Sequence, residues 1–391
     1  MKFRTIGLLF LGHLFTDINQ GALPAMLPFL IPAHNLSYAA AAMIVFAANI
    51  ASTVVQPLFG HFADRLSKPF LMPVGLLLAG VGLALVGISS DYRLIILVVI
   101  TSGIGIAAFH PEGARLVNYV AGEKKATAMS IFGVGGTLGF AIGPLIITTA
   151  LLYWGLKGSL ILIAPVCVMA FILSFQLKDF ASLGRTSVTK KSSPSSATDQ
   201  DAWGAFTRLS LTAVGRSILF YGLNIFIPLY WINVLNQSKA AGGTALTIMA
   251  TAGVIGNLMG GRLSDHFGHR LMIVASFGIL TLFFPMLLWV NNIAMATILL
   301  VPIGMALSSC YSPIVVLGQR YLPNHIGLAS GFTLGVTISI GGMTAPLLGR
   351  IADIYGIWTA LATILFVPIL SAGIGLTLTT PKRKLGNTTT L

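Results

Sequence analysis

The residues of this sequence that could do chemistry are few, and most lie inside apolar runs. Between Thr5 and Ile31, His13, Asp17, Gln20, Gly21, Pro24 and Pro28 fall at helical spacing on one face, a polar stripe with proline breaks that suits a cavity-lining helix. At ~1.5 Å per residue, Asp17 lies roughly 18 Å into that run, near the middle of a hydrocarbon core. An ionisable group at such a depth is costly and is a functional candidate by default. Asp17 can carry a proton between two sides, or it can be a carboxylate locked by hydrogen bonds to a neighbouring helix. Arg216 lies about 15 Å into another apolar run by the same arithmetic. Its guanidinium fork suits a phosphonate or a carboxylate. The alternative is an ion pair across the molecule, with Asp17 as its partner.

A third group is Phe109-His110-Pro111-Glu112, followed by Arg115. Glu112 lies roughly 27 Å along its run, close to one membrane face. Glu112 and Arg115 stand at i,i+3 and can pair. Asp64 and Arg65 belong to the same side, so these charges read as a gate network. His110 titrates near neutrality when unperturbed, which fits either a proton relay or a packing hydrogen bond. The proton-coupling candidates are therefore Asp17, His110 and Glu112. Asn49, Ser52, Thr53 and Gln56 form a polar face on one run, and Tyr221, Asn224 and Pro228 on another. Such faces line a cavity or glue helices together. The substrate-binding candidates are His13, Asp17, Gln20, Asn49, Gln56, Arg216, Tyr221 and Asn224.

The elements that position these groups follow from composition. Charged residues are 8% of the 391 residues, hydrophobic ones 55%, and mean hydropathy is +0.90. A soluble enzyme and a disordered regulator are excluded, and uninterrupted apolar runs exclude an outer-membrane barrel of alternating strands. The predicted fold is all-α and integral to the lipid bilayer. Twelve transmembrane helices are predicted, at about 5–31, 38–62, 69–88, 94–114, 126–150, 158–177, 205–233, 243–263, 270–290, 294–317, 327–348 and 357–379. The basic start and apolar run at the N-terminus imitate a signal peptide, but its polar face predicts a retained first helix. Residues 178–204, rich in Ser and Thr, read as a flexible linker between an N-terminal bundle, 1–177, and a C-terminal bundle, 205–391. The net charge of +13 is spread in short clusters between apolar runs, which argues for membrane orientation and against nucleic acid. Eighteen Lys and Arg fall on the side of the termini and linker and four on the other, so both termini are predicted in the cytoplasm. Cys167 and Cys310 read as free, buried thiols. No spacing resembles a metal-ligand set, and no cofactor is predicted.

The two halves repeat at an offset of about 201 residues. Gly60 pairs with Gly261, Asp64 with Asp265, Gln56 with Asn257, Pro111 with Pro313, and Pro144 with Pro346. Each half has six spans, an even number, so equivalent helices run in the same direction, as in a parallel repeat about an axis normal to the membrane. Two six-helix bundles around a central cavity follow, and such a body can rock about that cavity. The gating candidates are Gly60, Asp64, Arg65, Glu112, Arg115, Gly261 and Asp265.

Gly-x-x-x-Asp-Arg after the second span resembles the signature of the major facilitator superfamily, and the likeness covers essentially the whole chain. Phe109–Arg115, Ser130–Leu145 and the early Asp17 are similar to the fosmidomycin resistance protein family. That resemblance implies proton-driven efflux of small, often anionic, antibiotics across a bacterial cytoplasmic membrane by a monomer. The chain departs from many drug/proton antiporters in having no Arg within span 4. The expected partners are protons, a small-molecule substrate and lipid. Uptake or facilitated diffusion of an organic anion is the alternative reading of the same motifs. An enzyme is not expected, because no nucleophile–base set is present.

Overall fold

In a computed structural model the chain is helical throughout, with no strand among the described residues. The structure describes residues 3–66, 68–121, 125–185, 200–325, 328–329 and 332–379; within these, the side chains at 57, 58, 60–66, 118, 125–127, 183–185, 334 and 335 are outside the description. Gly60, Asp64 and Arg65, expected at a gate, thus have no described side-chain surroundings, and residues 186–199 of the expected linker lie outside the described residues.

The first half comprises α1 (Phe3–His34), α2 (Tyr38–Leu66), α3 (Leu71–Leu85), α4 (Tyr92–Val120), α5 (Lys125–Trp154) and α6 (Ile163–Phe175). The second comprises α8 (Trp203–Asn233), α9 (Lys239–Phe267), α10 (His269–Trp289), α11 (Ile293–Ser309), α12 (Tyr311–Tyr321), α13 (Thr337–Tyr355), α14 (Ile357–Ala362) and α15 (Phe366–Leu376), with α7 (Leu177–Arg185) between the halves. Nine stretches among the described residues are long and apolar enough to cross a membrane. One of them, Ala128–Phe175, is 48 residues long and doubles back through a 3-10 segment at Gly155–Leu162. Counting it as two crossings, and adding α1 and α13, accommodates the predicted twelve.

Caps set several boundaries. Asp91, Ser238 and Asn292 each turn a side-chain oxygen onto the first free N–H groups of α4, α9 and α11. Three elements differ from expectation. The prolines of the first span do not break it: α1 runs unbroken through Pro24, Pro28 and Pro32, which tertiary packing holds in place because Pro24 and Pro28 are fully enclosed. The polar linker opens as an amphipathic helix, α7, whose Phe180 is buried in the same cluster as Ile6, Leu116 and Leu173. Cys167 is exposed on the outer face of α6, and only Cys310 is buried, because a span at the rim turns half its surface to lipid.

Close approach of helices rests on small residues, as expected in lipid, where packing replaces the hydrophobic drive. A Cβ at Gly135 would lie 2.5 Å from the Phe10 carbonyl, and one at Gly143 2.5 Å from the Ile18 carbonyl, so α5 lies against the α1 backbone. In the second half Gly256 and Gly260 of α9 rest directly on the backbone of Met305 and Ser309 in α11. Gly261, the predicted repeat partner of Gly60, has only Ser312 Oγ, 3.9 Å from its would-be Cβ. The two bundles meet at the end opposite the linker. There Gly349 of α13 packs on Ala39 at the start of α2, and Gly243 of α9 packs on Thr148 near the end of α5.

Candidate functional site

Between the bundles lies one cavity of about 620 Å³. Its walls come from α1, α2, α4 and α5 on one side and α8, α9, α11, α12 and α13 on the other. From the junction it extends toward the linker end, through Gln56 and Ala114 in the first half and Asn257 and Tyr311 in the second.

One wall carries a carboxylate between two imidazoles. Asp17 and His13 sit one turn apart on α1, with His13 Nε2 3.2 Å from Asp17 Oδ2. His110 comes from α4, and its Nε2 lies 2.9 Å from Asp17 Oδ1. The residue separation of 93 explains why spacing alone could not join them. His13 Nδ1 donates to the Phe132 carbonyl of α5 at 2.7 Å, and its ring stacks on Phe132 with centroids 4.1 Å apart. Three helices, α1, α4 and α5, therefore orient this group. Gly136 of α5 leaves the necessary space, since a Cβ there would meet His13 Nε2 and lie 2.6 Å from Asp17 Oδ2. The side chains of His13 and Asp17 are each 12% exposed and that of His110 19%, so the triad faces the cavity without being open to bulk water.

Arg216 of α8 faces the same cavity from the opposite wall. Its partner differs from the ion pair considered for it. Asp17 is engaged by His13 and His110, and among the described residues no carboxylate bridges Arg216. Instead Arg216 Nε donates to the Leu307 carbonyl at 3.1 Å, and the guanidinium lies over the Tyr311 ring at 4.8 Å and the Phe220 ring at 5.6 Å. A cation is thus held by a carbonyl dipole and two aromatic faces. This leaves a positive charge on one wall of the cavity and an imidazole–carboxylate group on the other.

The remaining predicted binding residues also reach the cavity. Gln20 donates to Asn49 Oδ1 at 3.3 Å, and Asn49 donates back to the Val45 carbonyl at 2.8 Å, so the α2 polar face is partly fixed. Gln56, Tyr221 and Asn224 line the cavity as well. Residues not singled out from sequence complete it: Phe132, Thr137, Phe140 and Ser217, with Tyr311 beside the guanidinium. Nothing in the sequence pattern pointed to Tyr311, which lies inside the expected span 294–317 and follows the break between α11 and α12.

Glu112 and Arg115 stand apart from this site. Glu112 is fully buried and does not line the cavity; Arg115 Nε donates to its Oε2 at 2.9 Å, and a second bond joins Arg115 Nη2 to Oε1. Arg115 also covers the Tyr119 ring at 4.9 Å. The expected i,i+3 pair is present, but as a closed two-bond fork. Asp265 is exposed at the end of α9, near the buried His269.

Comparison with known proteins agrees with this architecture. The sequence model of the Major Facilitator Superfamily matches residues 9–346. The MFS-type transporter YfnC of Bacillus subtilis (strain 168) is 30% identical over 363 residues, covering 92% of this chain and 88% of that protein. The fosmidomycin resistance protein of Escherichia coli (strain K12) is 26% identical over 375 residues, covering 94% of this chain and 91% of that one. Among solved structures, a bacterial homolog of the human lysosomal transporter Spinster, in an inward-facing and occupied conformation, superposes with a TM-score of 0.79 at 15% identity, covering 96% of both chains. Twelve predicted crossings in two bundles, a cavity between them, and a family match over nearly the whole length lead to one conclusion: this chain is a transporter that belongs to the Major Facilitator Superfamily.

Proposed function

We propose that this protein exports a small anionic drug or metabolite from the bacterial cytoplasm in exchange for protons. The observation that carries the reading is the division of one cavity: a carboxylate between two imidazoles on one wall, and Arg216 with no carboxylate bridging it among the described residues on the other. A buried guanidinium needs a compensating anion to be bound tightly, and a substrate carrying a phosphonate or carboxylate supplies one. The Asp17 group can take and release protons at the same level of the membrane. The relative named as a fosmidomycin resistance protein supports an anionic antibiotic as cargo.

In this reading residues 1–177 and 205–391 are two bodies that rock about the cavity, and residues 178–204 join them on the cytoplasmic side. Both termini lie there, as the cation distribution favours. The protein works as a monomer, since the cavity is complete within one chain. The test is uptake of a labelled phosphonate antibiotic into inverted membrane vesicles. An acid-inside gradient is expected to drive accumulation, and a protonophore to release it. Accumulation that ignores the gradient removes proton coupling, and accumulation driven only by the opposite gradient reverses the direction.

A further inference from the structure

We propose that His13, Asp17 and His110 form a binding site for a divalent transition-metal ion of the zinc class, placed on the cavity wall with its remaining coordination position toward Arg216. Three potential ligand atoms, one from each residue, all lie within 4.8 Å of one another. His110 Nε2 lies 2.9 Å from Asp17 Oδ1 and His13 Nε2 3.2 Å from Oδ2, so with either oxygen as the ligand one separation already approaches the spacing of about 3.3 Å around a tetrahedral ion with bonds of about 2.0–2.1 Å, and the others close by rotation of the carboxylate. Two imidazole nitrogens and one carboxylate oxygen are a donor set that zinc accepts, and three protein ligands leave one position for water or another ligand.

The hydrogen bonding of His13 supports this assignment independently of the distances. Its Nδ1 faces the Phe132 carbonyl at 2.7 Å, and a carbonyl oxygen only accepts, so Nδ1 carries hydrogen. A metal-binding histidine is oriented in this way, with its other ring nitrogen donating to a backbone carbonyl. With Nδ1 so engaged, Nε2 faces Asp17 Oδ2 at 3.2 Å, a contact that takes either a proton on Nε2 or a metal ion between the two atoms. His110 Nε2 converges on the other oxygen of the same carboxylate. One divalent cation satisfies all three groups at once. With two neutral imidazoles and one carboxylate, the occupied site keeps a single positive charge. It would then act with Arg216 on the same anion: the open metal position takes one oxygen and the guanidinium another.

This inference goes beyond the transport reading and is tested apart from it, because ion binding is measured without substrate, gradient or membrane; the ion and the exchanging proton compete for the same three groups, so ion binding is expected to weaken as pH falls. The test uses the full chain, purified in detergent, freed of any affinity tag and stripped by a chelator, then equilibrated with Zn²⁺ and separately with Co²⁺. One tightly held ion per chain is expected, with an absorption spectrum of tetrahedral Co²⁺ and an X-ray absorption signature of imidazole ligands. Asp17→Asn and His110→Gln are each expected to lose that ion. His325→Gln, at an exposed histidine bound to Asp201 far from the cavity, is expected to keep it. Gly136→Ala, which adds a methyl group against His13 Nε2 while leaving every ligand in place, is expected to lose the ion as well and guards against misfolding of the ligand variants. Absence of a tight ion in the wild-type protein overturns the proposal. Retention of the ion in well-folded His110→Gln protein, or a spectrum without imidazole ligands, does the same.

Discussion

The carboxylate of Asp353, near the end of α13, caps the first turn of α2 in the other bundle: Oδ1 accepts from the Tyr38 backbone N–H at 2.6 Å and Oδ2 from that of Ala39 at 3.1 Å. Ser37 Oγ takes the next free N–H, that of Ala40, at 3.1 Å, so the helix start is satisfied jointly by both halves of the molecule. The negative charge also complements the positive end of the helix dipole. This is a latch between two bodies, at the end opposite the linker, and Gly349 packs on Ala39 one turn away.

Removing the latch loosens one state of the transporter without touching the cavity. A helix cap contributes about 1 kcal/mol. A change of one to two kcal/mol alters a two-state ratio by a factor of about 5 to 30. Asp353→Ala is therefore expected to populate a form in which the two bundles separate at this end. Spin labels at the exposed positions Ala33 and Tyr355 report it, as a second and longer distance in pulsed electron resonance. An unchanged distance distribution means that packing alone holds the junction.

Glu112 and Asp17 are expected to fail in different ways when neutralised. Glu112 is fully enclosed and forked to Arg115, so Glu112→Gln leaves a buried guanidinium with a weaker partner. Breaking such a pair costs about 3–5 kcal/mol, and a clear drop in thermal midpoint is expected. A variant that melts like wild type but no longer responds to a pH gradient would move Glu112 into the coupling machinery.

Asp17→Asn acts on coupling. The amide cannot release and regain a proton, so gradient-driven transport is expected to disappear while substrate exchange continues. Purified protein in proteoliposomes distinguishes the two, since exchange needs no gradient. Continued acceleration by a pH gradient in this variant assigns the proton to another group.

The glycines of α5 give a sharper comparison. A methyl group at Gly136 points into His13 and Asp17, whereas Gly133, one turn earlier, has nothing within 4 Å of its would-be Cβ. Alanine favours a helix over glycine by up to about 1 kcal/mol, so neither variant should lose helix stability for intrinsic reasons. Gly136→Ala is expected to lose transport and Gly133→Ala to keep it, at matched amounts of protein in vesicles. Equal activity of the two would show that the Asp17 group tolerates displacement.

Much of this site was legible in the sequence, because depth along a helix follows from counting residues and the polar stripes follow from helical period. Asp17, His13, Arg216 and the α2 face all reach the cavity as that counting predicts. Azimuth between helices does not follow from counting. Arg216 and Asp17 share a depth, yet each turned to different partners, and His110 joined Asp17 from a helix 93 residues away. Helix ends were the other gap. The eleventh span was expected to stop at 348, but α13 continues to Tyr355, which brings Asp353 within reach of α2. The apolar pattern fades over those last turns because they approach the membrane face, while the backbone bonds and a tertiary contact keep them helical.

Arg216 lines the cavity on the side opposite Asp17. Its Nε is spent on the Leu307 carbonyl and its face on Tyr311, which fixes the plane of the guanidinium. Lysine at this position keeps the charge but cannot stack as a plane or present two parallel donors. Arg216→Lys is therefore expected to weaken binding of a phosphonate by about tenfold to a hundredfold, since a hydrogen bond to a charged group contributes about 1.5–3 kcal/mol. A monovalent carboxylate, which gains less from the fork, should lose less. Arg216→Ala removes the only charge opposite Asp17 named in the binding reading, and anion binding should fall below detection. The aromatic pair Tyr311 and Phe220 then faces an empty volume, so a neutral aromatic ligand is expected to bind no worse than before. Affinities of the three proteins for a phosphonate, a carboxylate and a neutral analogue, measured by calorimetry in detergent, give the full pattern. Wild-type phosphonate affinity in Arg216→Ala would leave the guanidinium a packing element of α8 and place the anion elsewhere in the cavity.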